Sequence, residues 1–191
     1  MHATILDGCS PQDTTAAAIR SAATERLQKT GLAVKHVCLP EIEIAPCAGD
    51  FKCWFHSPGV CALDDANRGI SRDVVLSDFL LLLTPVTFGG YSSELKKAID
   101  HLVPNALPFL SRIGGETHHP LRYGPFPSLV AFGILPAPDE ECERIFDTLV
   151  RRNALNMRPR ACVSGVFYRT GRSEEIPPRV RELLDRAEAH R

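Results

Sequence analysis

Residues 78–86 read Asp78-Phe79-Leu80-Leu81-Leu82-Leu83-Thr84-Pro85-Val86. The apolar run does not alternate with polar residues and ends at a proline. A short continuous run of this kind predicts a strand covered on both faces, as in a parallel sheet flanked by helices. Toward the N-terminus, residues 2–8 form a second short apolar segment that breaks at Gly8-Cys9-Ser10-Pro11. Thr14 to Lys29 carries Ala18, Ile19, Ala22, Ala23 and Leu27 at helical spacing, with Asp13 or Thr14 to cap its start and Gly31 beyond its end. Leu32 to Leu39 predicts another strand. Toward the C-terminus the spacing predicts a helix over Ser93 to Val103, a strand over Pro127 to Leu135, and a helix over Asp139 to Ala154. A strand over Pro159 to Tyr168 and a helix over Pro177 to His190 follow.

This alternation predicts one α/β domain over residues 1–191, built on a five-stranded parallel sheet. The length of 191 residues suits a single domain. Two stretches interrupt the rhythm, at about 40–64 and 104–126, and long loops in such domains usually carry function. Apolar residues make up 44% and charged residues 24%, with a net charge of -1, so a basic nucleic-acid surface is not expected. No apolar run is long enough to span a bilayer and no signal peptide is read, which predicts a cytoplasmic protein without membrane contact. The seven cysteines are odd in number and do not read as a disulfide framework.

In sheets of this kind ligands bind beyond the carboxyl ends of the strands. The first loop there, Gly8 to Thr15, is rich in hydroxyls and runs into a helix start, where free N–H groups favour an anion. An ordinary capped turn is the alternative. The second loop, Thr84 to Ser93, contains Gly89-Gly90, which allows a flat ligand to approach the backbone, and Phe88 and Tyr91, which offer aromatic surface. Local packing of those aromatics is the alternative.

Thr84 to Leu102 (TPVTFGGYSSELKKAIDHL) resembles the flavin-binding segment of the flavodoxin-like NADPH-dependent FMN reductases, and the Ser10-Pro11 loop resembles their phosphate loop. Residues 45–65 (APCAGDFKCWFHSPGVCALDD) resemble the cysteine segment of the related iron–sulfur flavoproteins. The resemblance covers roughly residues 3–103. It implies a flavodoxin-like, three-layer, doubly wound fold. It also implies that Ser10, Gln12, Thr14 and Thr15 hold an FMN phosphate, and that Pro85, Val86, Thr87, Phe88, Gly89, Tyr91 and Ser92 line the isoalloxazine, mostly through backbone N–H groups. The implied activity is hydride transfer from NAD(P)H to FMN, with a flavin, a quinone, an iron centre or a redox protein as acceptor. No protein acid or base need be catalytic, and a homo-oligomer is implied. An electron carrier, or a flavin-free binding domain, is the alternative. The chain departs from the family in a shorter phosphate loop, in Asp13 beside it, and in the absence of a glycine pair after the fourth strand, where Gly133 to Pro138 stand.

The family's cysteine segment has four thiols; here Cys47, Cys53 and Cys61 remain and Asp50 replaces the fourth. Thiolates suit an iron–sulfur cluster, and a carboxylate can replace one of them. A zinc site with His56 or Asp50 is a second reading. A metal-free cap, with Trp54 and Phe55 over the flavin pocket, is the third. Cys9 is either a reactive thiol at a helix start or a buried one. Cys38, Cys142 and Cys162 read as core positions. In the second insertion, Glu116-Thr117-His118-His119 with Arg122-Tyr123 could meet a nicotinamide phosphate, an acidic substrate or a neighbouring subunit, or form a polar loop.

Overall fold

A computed structural model describes residues 1–189. Strand β1 (His2–Asp7) leads to helix α1 (Thr14–Lys29) and strand β2 (Ala33–Cys38). Beyond the one-turn helix α2 (Lys52–Phe55) come α3 (Ala66–Val75), β3 (Phe79–Pro85) and α4 (Ser93–Asp100). A two-stranded hairpin, β4 (Ser111–Ile113) and β5 (Glu116–His118), precedes β6 (Ser128–Leu135). The chain then runs through α5 (Glu140–Met157), β7 (Cys162–Tyr168) and α6 (Ile176–Glu188). The expected end of the last helix at His190 lies outside the described residues.

The five long strands form one parallel sheet in the order β2-β1-β3-β6-β7. The unbroken apolar run of β3 has a direct cause. Phe79, Leu81 and Leu83 enter the core under α1 and α6, with Ile19, Leu27, Val180 and Leu184. Leu80 and Leu82 enter the opposite core under α3, α4 and α5, with Val74, Leu95, Phe146 and Val150. The result is the three-layer doubly wound fold that the resemblance implied.

Helix caps follow the sequence closely. Asp13 accepts from Ala16 N–H, Asp139 from Cys142 N–H and Ser92 from Leu95 N–H. Helix α3 is an addition to the expected elements. It buries only Asn67, Ile70 and Val74, so its apolar stripe is thin, and its signal is the Asp65 cap with the Ile70–Val74 spacing. The second insertion is also more ordered than a polar loop, because Gly114 and Gly115, both at positive φ, turn the β4–β5 hairpin. Among the described residues no helix is long and apolar enough to cross a membrane.

Candidate functional site

The strand order reverses between β1 and β3. After β1 the chain moves outward to β2; after β3 it proceeds the other way to β6. Loops leaving the two strands at such a point diverge and leave a crevice. Here the two loops are also fastened to each other. Gly8 N–H donates to Leu83 O at 2.8 Å, and the Ser92 hydroxyl donates to Gly8 O at 3.1 Å. Ser92 N–H in turn donates to the Thr84 hydroxyl at 2.9 Å. A Cβ built on Gly8 would lie 2.5 Å from Ser92 Oγ and 3.2 Å from Leu95 N, so only glycine permits this approach.

Asp7, at the end of β1, holds the first loop from below. Its carboxylate has no exposed surface; it accepts from Cys9 N–H at 2.9 Å, from Arg20, and lies 3.2 Å from His36 Nε2. Burial alone would raise its pKa, but the hydrogen bonds from His36, Cys9 N–H and Arg20 outweigh burial and hold it below the ordinary carboxylate range. Cys9 is fully buried. Burial and the carboxylates of Asp7 and Asp13 push its thiol well above the ordinary range. Of the two readings of Cys9, the structure bears out the buried thiol.

Beyond Cys9 the predicted phosphate residues gather around the first turn of α1. Ser10 and Gln12 are exposed and bond to each other through Ser10 Oγ and Gln12 Oε1. Thr14 is exposed and Thr15 half-buried. The first helical bond runs from Ala17 N–H to Asp13 O, and the N–H groups of Thr14 and Thr15 have no acceptor among the described residues. Asp13 does not confront an anion with a bare negative charge. Its Oδ1 caps α1, and its Oδ2 accepts from Arg169 Nη2 at 2.6 Å. Arg169 stands just beyond β7 and brings a cation to the loop; nothing near it in the sequence marks it for that position.

The second loop is a tight turn. Thr87 and Gly90 exchange N–H···O bonds of 3.0 and 2.9 Å around Phe88 (φ 50°) and Gly89 (φ 76°). Two consecutive left-handed residues define a type I′ turn. A bulky residue with left-handed φ is strained, and such strain concentrates at functional sites. Phe88 is also 100% exposed. Val86 N–H donates to Ile134 O at 2.9 Å, so it is spent within the protein. Of the remaining donors, the N–H groups of Phe88, Gly89 and Tyr91 have no acceptor among the described residues. Pro85 closes β3, and Thr87 is exposed.

Tyr91 corrects one expectation. Its ring packs edge-on against Phe146, and its hydroxyl accepts from Asn153 Nδ2 at 3.0 Å, so it offers no aromatic surface to a ligand. Burial pushes its phenol up to about 12. The aromatic surface at the rim comes from Phe88. In the place of a glycine pair after β6, Gly133 lies within the strand and packs beneath Val86, and Pro136 to Asp139 form an exposed connection to α5.

The cysteine segment lies elsewhere. Trp54 Nε1 donates to Val103 O at 3.1 Å, and its ring stacks near Phe51 and His119. That contact is beyond the C-terminal end of α4, the opposite end from Ser92, and Phe55 is exposed, so neither side chain covers the rim. Cys47 is exposed, while Cys53 and Cys61 are half-buried; burial and then the charges of Cys61 and Cys47 raise the Cys53 thiol. Asp50 pairs with Lys52 at 3.1 Å. Among the described residues no three His, Cys, Asp or Glu side chains are arranged to hold a metal ion, so Cys47, Asp50, Cys53 and Cys61 do not fit a cluster or a zinc ion as they stand. Cys162 is a second correction. It begins the edge strand β7, is exposed rather than core, and lines a cavity of about 850 Å³ that lies away from both loops.

The polar residues of the second insertion are used inside the protein. Glu116 accepts from both terminal nitrogens of Arg152, at 2.9 and 2.8 Å, and His118 Nδ1 lies 3.0 Å from Asn156 Oδ1. The His119 ring packs tilted against Trp54, and Arg122 donates to Pro104 O. These contacts fix the hairpin to α5 and to the end of α4.

Residues 1–121 match the NADPH-dependent FMN reductase family. Over 107 residues the chain is 29% identical to an iron–sulfur flavoprotein of Methanocaldococcus jannaschii, an alignment covering 55% of this chain and 54% of that protein. The chain thus spans about half the length of that curated relative. Among solved structures, an NAD(P)H:quinone oxidoreductase from Methanothermobacter marburgensis superposes with a TM-score of 0.72 at 15% identity, covering 100% of this chain and 98% of the other. An FMN-dependent NADH-azoreductase from Bacillus anthracis, in complex with FMN, superposes with a TM-score of 0.66 at 8% identity over 100% and 98%. At those identities the superpositions establish the shared fold.

Proposed function

We propose, for a chain that belongs to the NADPH-dependent FMN reductase family, an FMN-dependent oxidoreductase that takes hydride from NAD(P)H and passes electrons to a flavin, a quinone or another small acceptor. The observation that carries this reading is the pair of fastened loops at the strand reversal. Between them, five backbone N–H groups, those of Thr14, Thr15, Phe88, Gly89 and Tyr91, lack an acceptor among the described residues. Such donors match the cofactor's chemistry: a phosphate at a helix start, and a ring edge that gains negative charge on reduction.

On this reading Thr14 and Thr15 hold the phosphate with their N–H groups and hydroxyls, aided by Ser10 and Gln12. Pro85, Val86 and Thr87 position the turn, and Phe88, Gly89 and Tyr91 present N–H groups to the isoalloxazine. Ser92 acts by locking the two loops together. Bound FMN would supply two-electron acceptance from a nicotinamide. The chain's own part is binding and orientation. The rim is open on a single chain and carries the exposed Phe88, which supports a homo-oligomer. Seven free cysteines suit a reducing compartment, and so a cytoplasmic location.

The test is NAD(P)H oxidation by the purified protein with FMN added, followed by absorbance with a quinone or free flavin as acceptor. Turnover is expected; FMN that binds but is never reduced by either nicotinamide would overturn the reductase reading in favour of an electron carrier. Thr15→Ala should weaken FMN by ~1.5–3 kcal/mol, the worth of a hydrogen bond to a charged group, or about ten- to hundredfold in Kd. Unchanged affinity in a fluorescence titration would place the phosphate elsewhere. Arg169→Ala should weaken FMN by about fivefold, in keeping with a half-exposed charge, and leave riboflavin, which lacks the phosphate, unaffected. Equal weakening of both ligands would show that Arg169 serves only the fold.

A further inference from the structure

The turn after β3 has a second neighbour besides the first loop. Helix α5 packs against it. Ile145, Leu149 and Asn153 of α5 are spaced four apart and so share one helix face. They meet three consecutive residues, Gly89, Gly90 and Tyr91. A Cβ built on Gly89 would collide with Ile145 Cγ2 and lie 2.9 Å from Ile145 Cβ. One built on Gly90 would lie 3.9 Å from Leu149 Cδ2. The Tyr91 hydroxyl accepts from Asn153 Nδ2 at 3.0 Å, and the Tyr91 ring packs edge-on against Phe146 of the same helix.

These contacts do what the turn's own hydrogen bonds do not. The two bonds between Thr87 and Gly90 close the turn on itself, and the bonds of Val86 N–H and Ser92 N–H hold its two ends. None of the four sets where the tip lies. Phe88, at φ 50°, is fully exposed and gives no anchor. A strained left-handed residue of this size persists only where its surroundings over-determine it. The seat on α5 under the next three residues supplies that constraint.

We propose that α5 positions this turn for redox work, with Ile145, Leu149 and Asn153 as positioning residues that hold the N–H groups of Phe88, Gly89 and Tyr91 where they favour reduced over oxidised FMN. The inference rests on the reading that these donors meet the isoalloxazine. Hydrogen bonds to a charged acceptor are about twice as strong as those to a neutral one. The ring edge gains negative charge on reduction. Donors held in place therefore favour the reduced form, and donors that drift lose more against the reduced form than against the oxidised one. Asn153 is the most separable member of the set, because it reaches the turn through the Tyr91 hydroxyl.

The experiment loads the full-length protein with FMN and measures the midpoint potential of the bound FMN against a reference dye, anaerobically. The Kd of oxidised FMN and the Tm of the FMN-free protein are measured alongside. Asn153→Ala and Tyr91→Phe remove the same bond from its two sides. Each should weaken reduced FMN about fivefold more than oxidised FMN, which lowers the two-electron potential by about 20 mV. The double variant should match the more severe single one, as expected of partners in one contact. In the FMN-free protein, Asn153→Ala should shift the amide resonances of Gly89 and Tyr91. Ile145→Ala should restore part of the FMN affinity lost in Gly89→Ala, because it removes the Cγ2 that the new Cβ strikes. Thr15→Ala, at the phosphate, should weaken both oxidation states alike and keep the wild-type potential. Asn153→Ala and Tyr91→Phe proteins that lose Tm but keep the wild-type potential would overturn the proposal and leave the FMN reading intact. So would effects of the two that simply add, or turn amides that do not move. Wild-type protein that binds no FMN would instead overturn that reading, and the proposal with it.

Discussion

Gly8→Val should cost the protein most of its affinity for FMN. The Cβ at this position would lie 2.5 Å from Ser92 Oγ, 3.0 Å from Leu95 Cβ and 3.2 Å from Leu95 N. The serine hydroxyl could rotate, but it would then lose its bond to Gly8 O, and the backbone of α4 cannot yield without shifting the helix. A valine therefore drives the two loops apart at the point where they are fastened. Overpacking of this kind costs about 1–3 kcal/mol of stability. The effect on binding should be larger, because the phosphate donors sit on one loop and the ring donors on the other. We expect a loss of about hundredfold or more in FMN affinity, equivalent to at least ~2.7 kcal/mol, with Gly8→Ala intermediate. Urea unfolding and FMN titration measure the two effects separately. Affinity that stays at the wild-type value in a folded Gly8→Val protein would mean that the loops do not act as one site.

Asp7→Ala should give the largest loss of stability among substitutions near the site. The carboxylate is fully buried and gathers Cys9 N–H, Arg20 and His36. Removing one partner from a buried charged network typically costs about 3–5 kcal/mol. The loss should also appear as a pH dependence. The folded-state pKa of Asp7 lies below its unfolded value, so the stabilisation is fully present above about pH 4, the ordinary range for aspartate, and disappears as pH falls through the folded value. Asp7→Asn should therefore be less stable at neutral pH and should lose less on acidification than the wild type. Chemical denaturation at a series of pH values measures this, and parallel profiles for the two proteins would show that Asp7 is not the group responsible.

The parts of the fold that depend on neighbours in sequence are legible in the sequence itself. The apolar run of β3, the caps Asp13 and Asp139, and the bounds of α1 all follow from local pattern. Helix α3 was not legible, because Ile70 and Val74 are too few to make a periodic stripe between Arg68, Arg72 and Asp73. Tyr91 reads as ligand surface because it is an aromatic residue in the loop after β3, with local packing as the alternative. Its burial depends on Phe146 of α5, which the sequence does not place beside it. Arg169 meets Asp13 across 156 residues, a contact that only the packing of β7 beside β6 produces. Cys162 read as core because its strand is apolar, but β7 lies at the sheet edge and its first residue is uncovered. For the site, the order of the loops and their glycines points to the rim where the loops after β1 and β3 meet. Which donors remain free depends on internal bonds such as Val86 N–H to Ile134 O.

The most direct test of the central claim is the absorption spectrum of the purified protein, recorded anaerobically before and after adding FMN and then NAD(P)H. The two-loop account predicts flavin bands that stay with the protein through gel filtration and bleach on addition of the nicotinamide. A spectrum that remains featureless after FMN is added and excess ligand removed would contradict it.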